Sequence, residues 1–203
     1  MDVFLDGKPL NRPALQARTV SQLLSEIRAA DGDRLVVVMR LDGQEVTGEA
    51  IEQLRIAPLD GPGRLELETE SARLLAARTL GEVANMLEDT RPSHAAIAEL
   101  LAGGKTPKAM ELLTSCLTVW NAADQSLQNA SRLVGLDLDA PAGPGRPAEM
   151  IGQLREHLQL IKHGLEIRDF VAISDLVEHD MPQITDLWQR MLVGLQEHLL
   201  AQP

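Results

Sequence analysis

The densest set of ionisable side chains in the sequence comprises Arg168, Asp169, Asp175, Glu178, His179 and Asp180. Two carboxylates beside a histidine can do acid–base work if they converge in a cleft, with Asp169 and Asp175 facing a substrate or a partner's basic groups. The same residues have a plainer use. An aspartate before a helix caps it by accepting from the first-turn amides, and Asp169 stands directly before the apolar run that opens at Phe170. No serine, threonine or cysteine lies in a recognisable nucleophile motif. The lone cysteine, Cys116, falls on an apolar helical face and reads as a small buried hydrophobe.

Three further patterns fall short of known chemistry. Residues 99–106, ELLAGGKT, approach a phosphate-binding loop, but Glu99 stands where glycine is needed and Pro107 removes an amide. A Gly-Gly helix connection explains them. His163 and Glu166 share the i, i+3 spacing of di-iron helical sites, yet no second such motif accompanies them. No metal and no cofactor is expected. Trp120 and Trp188 each lie on an apolar helical stripe and read as core, with a partner groove as the rival.

These residues must be positioned by helices. Over Thr106 to Gly135, apolar residues recur at Met110, Leu113, Leu117, Trp120, Leu127 and Val134. A second row runs through Leu112, Cys116, Val119, Ala123, Ala130 and Leu133. Such a wide face needs several helices to cover it. Thr106 is the expected N-cap, Pro107 the first helical residue and Gly135 the left-handed stop. Further helices are predicted over 71–88, 93–101 and 147–168, the last with Ile151, Leu154, Leu158, Ile161 and Leu165 in one stripe. A break is expected near Arg168-Asp169. From Phe170 the stripe runs through Trp188, Met191 and Leu195 to Leu199, interrupted at Pro182, as one kinked helix or two. Residues 136–147, rich in proline and glycine, predict a mobile loop.

The N-terminal third differs. Residues 1–5 predict a strand and Asp6-Gly7 a hairpin turn. Pro9 and Pro13 allow only an edge strand or loop over 9–14. Thr19 caps a helix over 20–30, ended by Asp31-Gly32-Asp33. RLVVVMRL at 34–41 is the strongest strand, Asp42-Gly43 turns into a strand at 44–46, and a short helical turn is expected over 49–54. RLELETE at 64–70 alternates apolar and charged. This order, carried by MDVFLDGKPL, VVMRLDGQEV and RLELETE, resembles the β-grasp or ubiquitin-like fold. The resemblance implies a docking surface or a lid; conjugation is not implied, because the last strand leads into a helix and not into a free diglycine tail. KHGLEIRDFVAISDLVEHDMP is distantly similar to uncharacterised bacterial helical proteins.

The expected fold class is therefore α+β: a β-grasp-like module over 1–70 followed by an antiparallel α-helical bundle over 71–203. The chain has 203 residues, 44% of them apolar, with two Phe, two Trp, no Tyr and a net charge of −11. That balance repels phosphate backbones and anionic membranes, which argues against nucleic acid or membrane as partner. No apolar run reaches the ~18 residues of a membrane span, MDVFLDGK is not a signal peptide, and the cytoplasm is the expected compartment. The functional expectation is a non-catalytic protein-interaction or adaptor protein. Its partner is another protein or a second copy, with Asp169, Asp175, Trp188, Met191 and Leu195 as candidate contact residues. One alternative is a chaperone or regulator of an exported or assembling protein of flagellar or secretion type. Another is an enzyme using the acidic and histidine residues of 163–180.

Overall fold

The structure is a computed structural model and describes residues 1–10, 17–30 and 32–201. The chain is an α+β protein that divides into two units, Met1–Leu75 and Ala76–Pro203. The expected edge strand or loop over 9–14 and the helix stop at Asp31 fall largely outside the described residues.

In the first unit, β1 (Asp2–Leu5), β2 (Lys8–Pro9), β3 (Arg34–Leu41), β4 (Gln44–Glu45) and β5 (Arg64–Ser71) form one mixed sheet in the order β2-β1-β5-β3-β4. β1 and β5 pair in parallel, Val3 opposite Leu65; the other pairs are antiparallel. Both two-residue turns are Asp-Gly with positive φ at each position, 50° and 76° at Asp6-Gly7 and 51° and 82° at Asp42-Gly43. That geometry matches the right-handed twist of the flanking strands. Each aspartate also ties its turn to β5. Asp6 accepts from the Thr69 amide and hydroxyl, both at 2.7 Å, and pairs with Arg34 at 3.3 Å; Asp42 accepts from the Arg64 amide at 2.8 Å. The Thr69 amide, more than any other group, holds the Asp6 carboxyl below its usual range.

Helix α1 (Val20–Ala30) begins with a reciprocal cap. Thr19 Oγ1 accepts from the Gln22 amide at 3.3 Å, and Gln22 Oε1 accepts from the Thr19 and Arg18 amides. Val20 and Leu23 of α1, with Leu54 of α2 (Glu49–Ile56), join Val3, Leu65 and Leu67 in the core of this unit. Here α2 is a helix of 8 residues where the sequence promised a single turn.

The helices that follow are α3 (Ala72–Asp89), α4 (Arg91–Ala102), α5 (Thr106–Val134), α6 (Pro147–Ile167), α7 (Phe170–Asp175) and α8 (Met181–Ala201). On α5 the buried residues are Ala109, Leu113, Cys116, Trp120, Ala123, Leu127 and Ala130, a strict four-three alternation. The two predicted rows thus resolve into one buried seam with half-buried flanks. Gly135 takes the left-handed C-cap, φ 69°. Thr106 does not cap: the N-cap position is Lys105, no side chain caps there, and Thr106 is already helical.

The break at Arg168 is real, with φ 58°. It is possible because of Gly164: a Cβ there would lie 2.8 Å from Ile173 Cγ1 and 3.4 Å from Asp169 O, so only glycine lets α7 fold back onto α6. Gly164→Ala is expected to cost about 1–3 kcal/mol by forcing Ile173 aside. Gly152→Ala on the same helix, where a Cβ meets nothing within 4 Å, is expected to be neutral or stabilising by about 0.5–1 kcal/mol. Urea denaturation of the pair checks both signs.

The interruption expected at Pro182 takes the form of a π turn. A π-helical turn, Leu176–Asp180, precedes α8, and the Met181 amide reaches back to Leu176 O. The wider turn absorbs the strain that a proline imposes on an α-helix. The segment 136–147, expected to be a mobile loop, makes contacts with the helical unit at several points. Ser131 Oγ donates to Leu136 O at 2.8 Å, the Ala148 amide to Leu138 O at 3.0 Å, and Leu136, Leu138 and Ala142 pack on the core. Gly143 sits so close to α8 that a Cβ would be 3.4 Å from Arg190 O.

Candidate functional site

Within the helical unit α5 packs most closely on α4, whereas α6 lies closest to α7 and α8. The seam between α5 and α6 is left open. Its first hollow, about 350 Å³, has a largely apolar lining that includes Leu117, Trp120, Leu154, Leu158 and Ile161, with Asp124 on one lip and Lys162 on the other. A second hollow, about 360 Å³, continues the seam between Arg132 and Leu138 on one side and Ala148 and Ile151 on the other. Arg155 borders both. Lining residues ascend along α5 as they descend along α6, so the two hollows succeed one another along one α5–α6 trench with Arg155 between them.

The trench follows from the two stripes. On α6, Ile151, Leu154 and Ile161 are buried, while Leu158 on the same stripe is only half-buried; Leu117 on α5 is likewise half-buried. These side chains have apolar surface that no other helix covers. At its floor Trp120 is wholly buried and meets Trp188 edge to face, ring centroids 5.6 Å apart at 88°. Neither indole N–H has a hydrogen-bond partner among the described residues, nor has Asp124 Oδ1; Asp124 Oδ2 accepts from Gln128 Nε2 at 2.7 Å.

Of the residues singled out from sequence, Trp120 lies at this floor and the candidate contact and acid–base residues lie elsewhere. Asp169 caps α7, its Oδ1 accepting from the Ala172 amide at 3.0 Å, and Asp175 is exposed at the end of that helix. Arg168, Glu178 and His179 are exposed as well. His163 and Glu166 are exposed on α6, Glu166 within 3.9 Å of Lys162. Among the described residues no group of three His, Cys, Asp or Glu side chains could hold a metal ion. Trp188, Met191 and Leu195 are 1%, 0% and 6% exposed, so a partner reaches them only if the chain's own core opens. In ELLAGGKT the amides of Gly103, Gly104 and Lys105 donate back to Glu99, Leu101 and Leu100, which leaves none of them for a phosphate. Burial pushes the Cys116 thiol up, away from its reactive thiolate form.

Asp124, Arg132, Arg155 and Lys162 were not singled out from sequence. The only signal available was indirect: Leu117 and Leu158 each continue a stripe that is wider than one neighbouring helix can cover.

No helix among the described residues is long and apolar enough to cross a membrane. No curated protein and no solved structure matches the chain. Residues 78–191, more than half of the chain and all within its helical unit, match the domain of unknown function DUF8042, and the chain belongs to that family.

Proposed function

We propose that this protein is a non-catalytic adaptor whose helical unit, an antiparallel bundle, docks an apolar segment of another protein in the α5–α6 trench. The observation that carries the reading is the open leucine-lined seam, with Leu117 and Leu158 half-buried beside buried Trp120. Helix-in-groove recognition needs such a strip: apolar side chains at helical spacing, partly covered, with polar lips that fix position. The chaperone-type version, for an exported or assembling protein, needs the same open groove. We read the N-terminal unit as a β-grasp module. The order of its elements and the parallel pairing of β1 with β5 support that reading. An acid–base enzyme is the weaker reading, because Asp169 is engaged in capping and Asp175 and His179 stand exposed on a separate stretch from the trench.

A photo-crosslinking amino acid at Leu158 in the full chain, expressed in cells, tests this, with the same substitution at exposed Gln159 as the control. The expected result is a discrete adduct with one other protein from position 158 and none from 159. An adduct of twice the chain mass makes a second copy the occupant. Equal adducts from both positions, or none from either, would sink the proposal.

A further inference from the structure

We infer that the trench is chemically polarised along its length and selects a partner helix with leucine-type side chains at one end and an acidic side chain at the other. The inference rests on the docking reading above and adds the partner's charge pattern to it. Three observations carry it. First, the hollows differ in balance: the first is mainly apolar, with Leu117, Leu154, Leu158 and Ile161, and carries Arg155 and Lys162 at its rim, whereas the second sets Gln128, Ser131, Arg132 and Arg155 beside Leu138, Ala148 and Ile151.

Second, Arg132 and Arg155 are exposed, and neither has a carboxylate partner among the described residues. Their neighbours do: Arg146 pairs with Glu149 at 3.5 Å and Lys162 with Glu166 at 3.9 Å. In a chain of net charge −11, two unpaired guanidinium groups bordering one hollow are a local reversal of sign. Guanidinium is also the group best shaped to take a carboxylate through two parallel N–H donors.

Third, Asp124 stands between the two ends. Its carboxylate lines the first hollow near the junction with the second, so an acid placed midway meets like charge. Together these set a direction: apolar first, no acid at mid-length, then an acid at the far end. The spacing suits a helix. From Leu117 to Arg132 the trench follows α5 for about 22 Å at ~1.5 Å per residue, and Asp124 to Arg132 takes about 12 Å of it. That length exceeds what a small ligand spans and matches about four turns of a docked helix.

The test uses synthetic amphipathic peptides of about 18 residues, fluorescein-labelled, with one leucine face in common. Their terminal turn carries two Glu, two Gln or two Lys, and a fourth peptide carries Glu at mid-length. Anisotropy titrations use the full chain at low and at roughly physiological ionic strength. Exposed charges each contribute modestly, so the terminal-Glu peptide is expected to bind about five- to tenfold tighter than the Gln peptide, with the Lys and mid-length Glu peptides weaker still. The preference is expected to shrink with salt. Arg132→Glu with Arg155→Glu is expected to invert the order, leaving the far-UV circular dichroism unchanged because both side chains are exposed.

Equal binding of all four peptides, lost together in Leu158→Asp, would overturn the charge inference and leave the docking reading standing. No binding of any peptide would overturn both. Saturation by dodecanoate in place of the peptides would also overturn it and make a small amphiphile the occupant.

Discussion

Trp188→Ala is expected to lower the stability of the chain by about 3–5 kcal/mol, the usual cost of deleting a large aromatic from a packed interior. Trp188 is 1% exposed, packs edge to face on Trp120, and belongs to the core that joins Met191, Leu192 and Leu195 of α8 to Leu113, Cys116 and Leu127 of α5. Removing it opens a cavity under the floor of the α5–α6 trench and deletes an aromatic contact worth about 0.5–1.5 kcal/mol beyond burial. Its indole N–H has no partner among the described residues, so Trp188→Phe gives up no hydrogen bond seen there and is expected to cost much less. Urea denaturation of the three proteins at several concentrations, followed by far-UV circular dichroism, separates core from interface. If α8 is interior, the alanine variant loses stability by the same amount at every concentration. An unchanged denaturation midpoint with a halved mass in light scattering would instead place Trp188 at a seam between copies.

That contrast shows what the sequence could and could not convey. Three-and-four spacing placed Trp188, Met191 and Leu195 on one face, and they are on one face; periodicity alone cannot say whether that face meets the same chain or another. The strands were legible because local chemistry specifies them. Asp-Gly at 6–7 and 42–43 demands a tight hairpin, and RLELETE can satisfy only a half-buried strand. One helix boundary was misjudged where local chemistry is ambiguous. Thr106 has a capping side chain but was taken into the helix; the interruption expected at Pro182 is present, in the form of a π turn that no propensity announces. The loop at 136–147 looked mobile because glycine and proline dominate it, and composition does not show that Leu136 and Leu138 pack on the core. The trench was the least legible feature. It depends on which helix pairs remain apart, a tertiary property, and its arginines are charged residues of an ordinary kind until the unpaired guanidinium groups are seen side by side along one seam.

His94→Leu is expected to stabilise the protein and to flatten its stability against pH. His94 is 2% exposed on α4, and neither ring nitrogen has a hydrogen-bond partner among the described residues. A buried polar group without a partner costs about 1–3 kcal/mol of desolvation, and an apolar side chain of similar size removes that cost. Burial, helped by the Arg91 guanidinium, holds the imidazole pKa below its ordinary value. Above the unfolded pKa of about 6.5 both states are neutral, and this residue contributes no pH dependence. As pH falls below that value the unfolded chain takes up a proton that the folded chain refuses, so stability declines until the lowered folded pKa is reached. The slope from this one group is at most about 1.4 kcal/mol per pH unit. The charged group that acts on it is Arg91 on its own helix, itself in ion pairs with Glu88 and with Asp186 of α8. Replacing His94 leaves all of these in place. Urea denaturation at pH 7.5 and at pH 5.5 therefore isolates its part: the variant is expected to exceed the wild type at both, and by more at the lower pH. A difference between the two proteins that does not grow as pH falls would mean that His94 is protonated in the folded state, and so has a partner there.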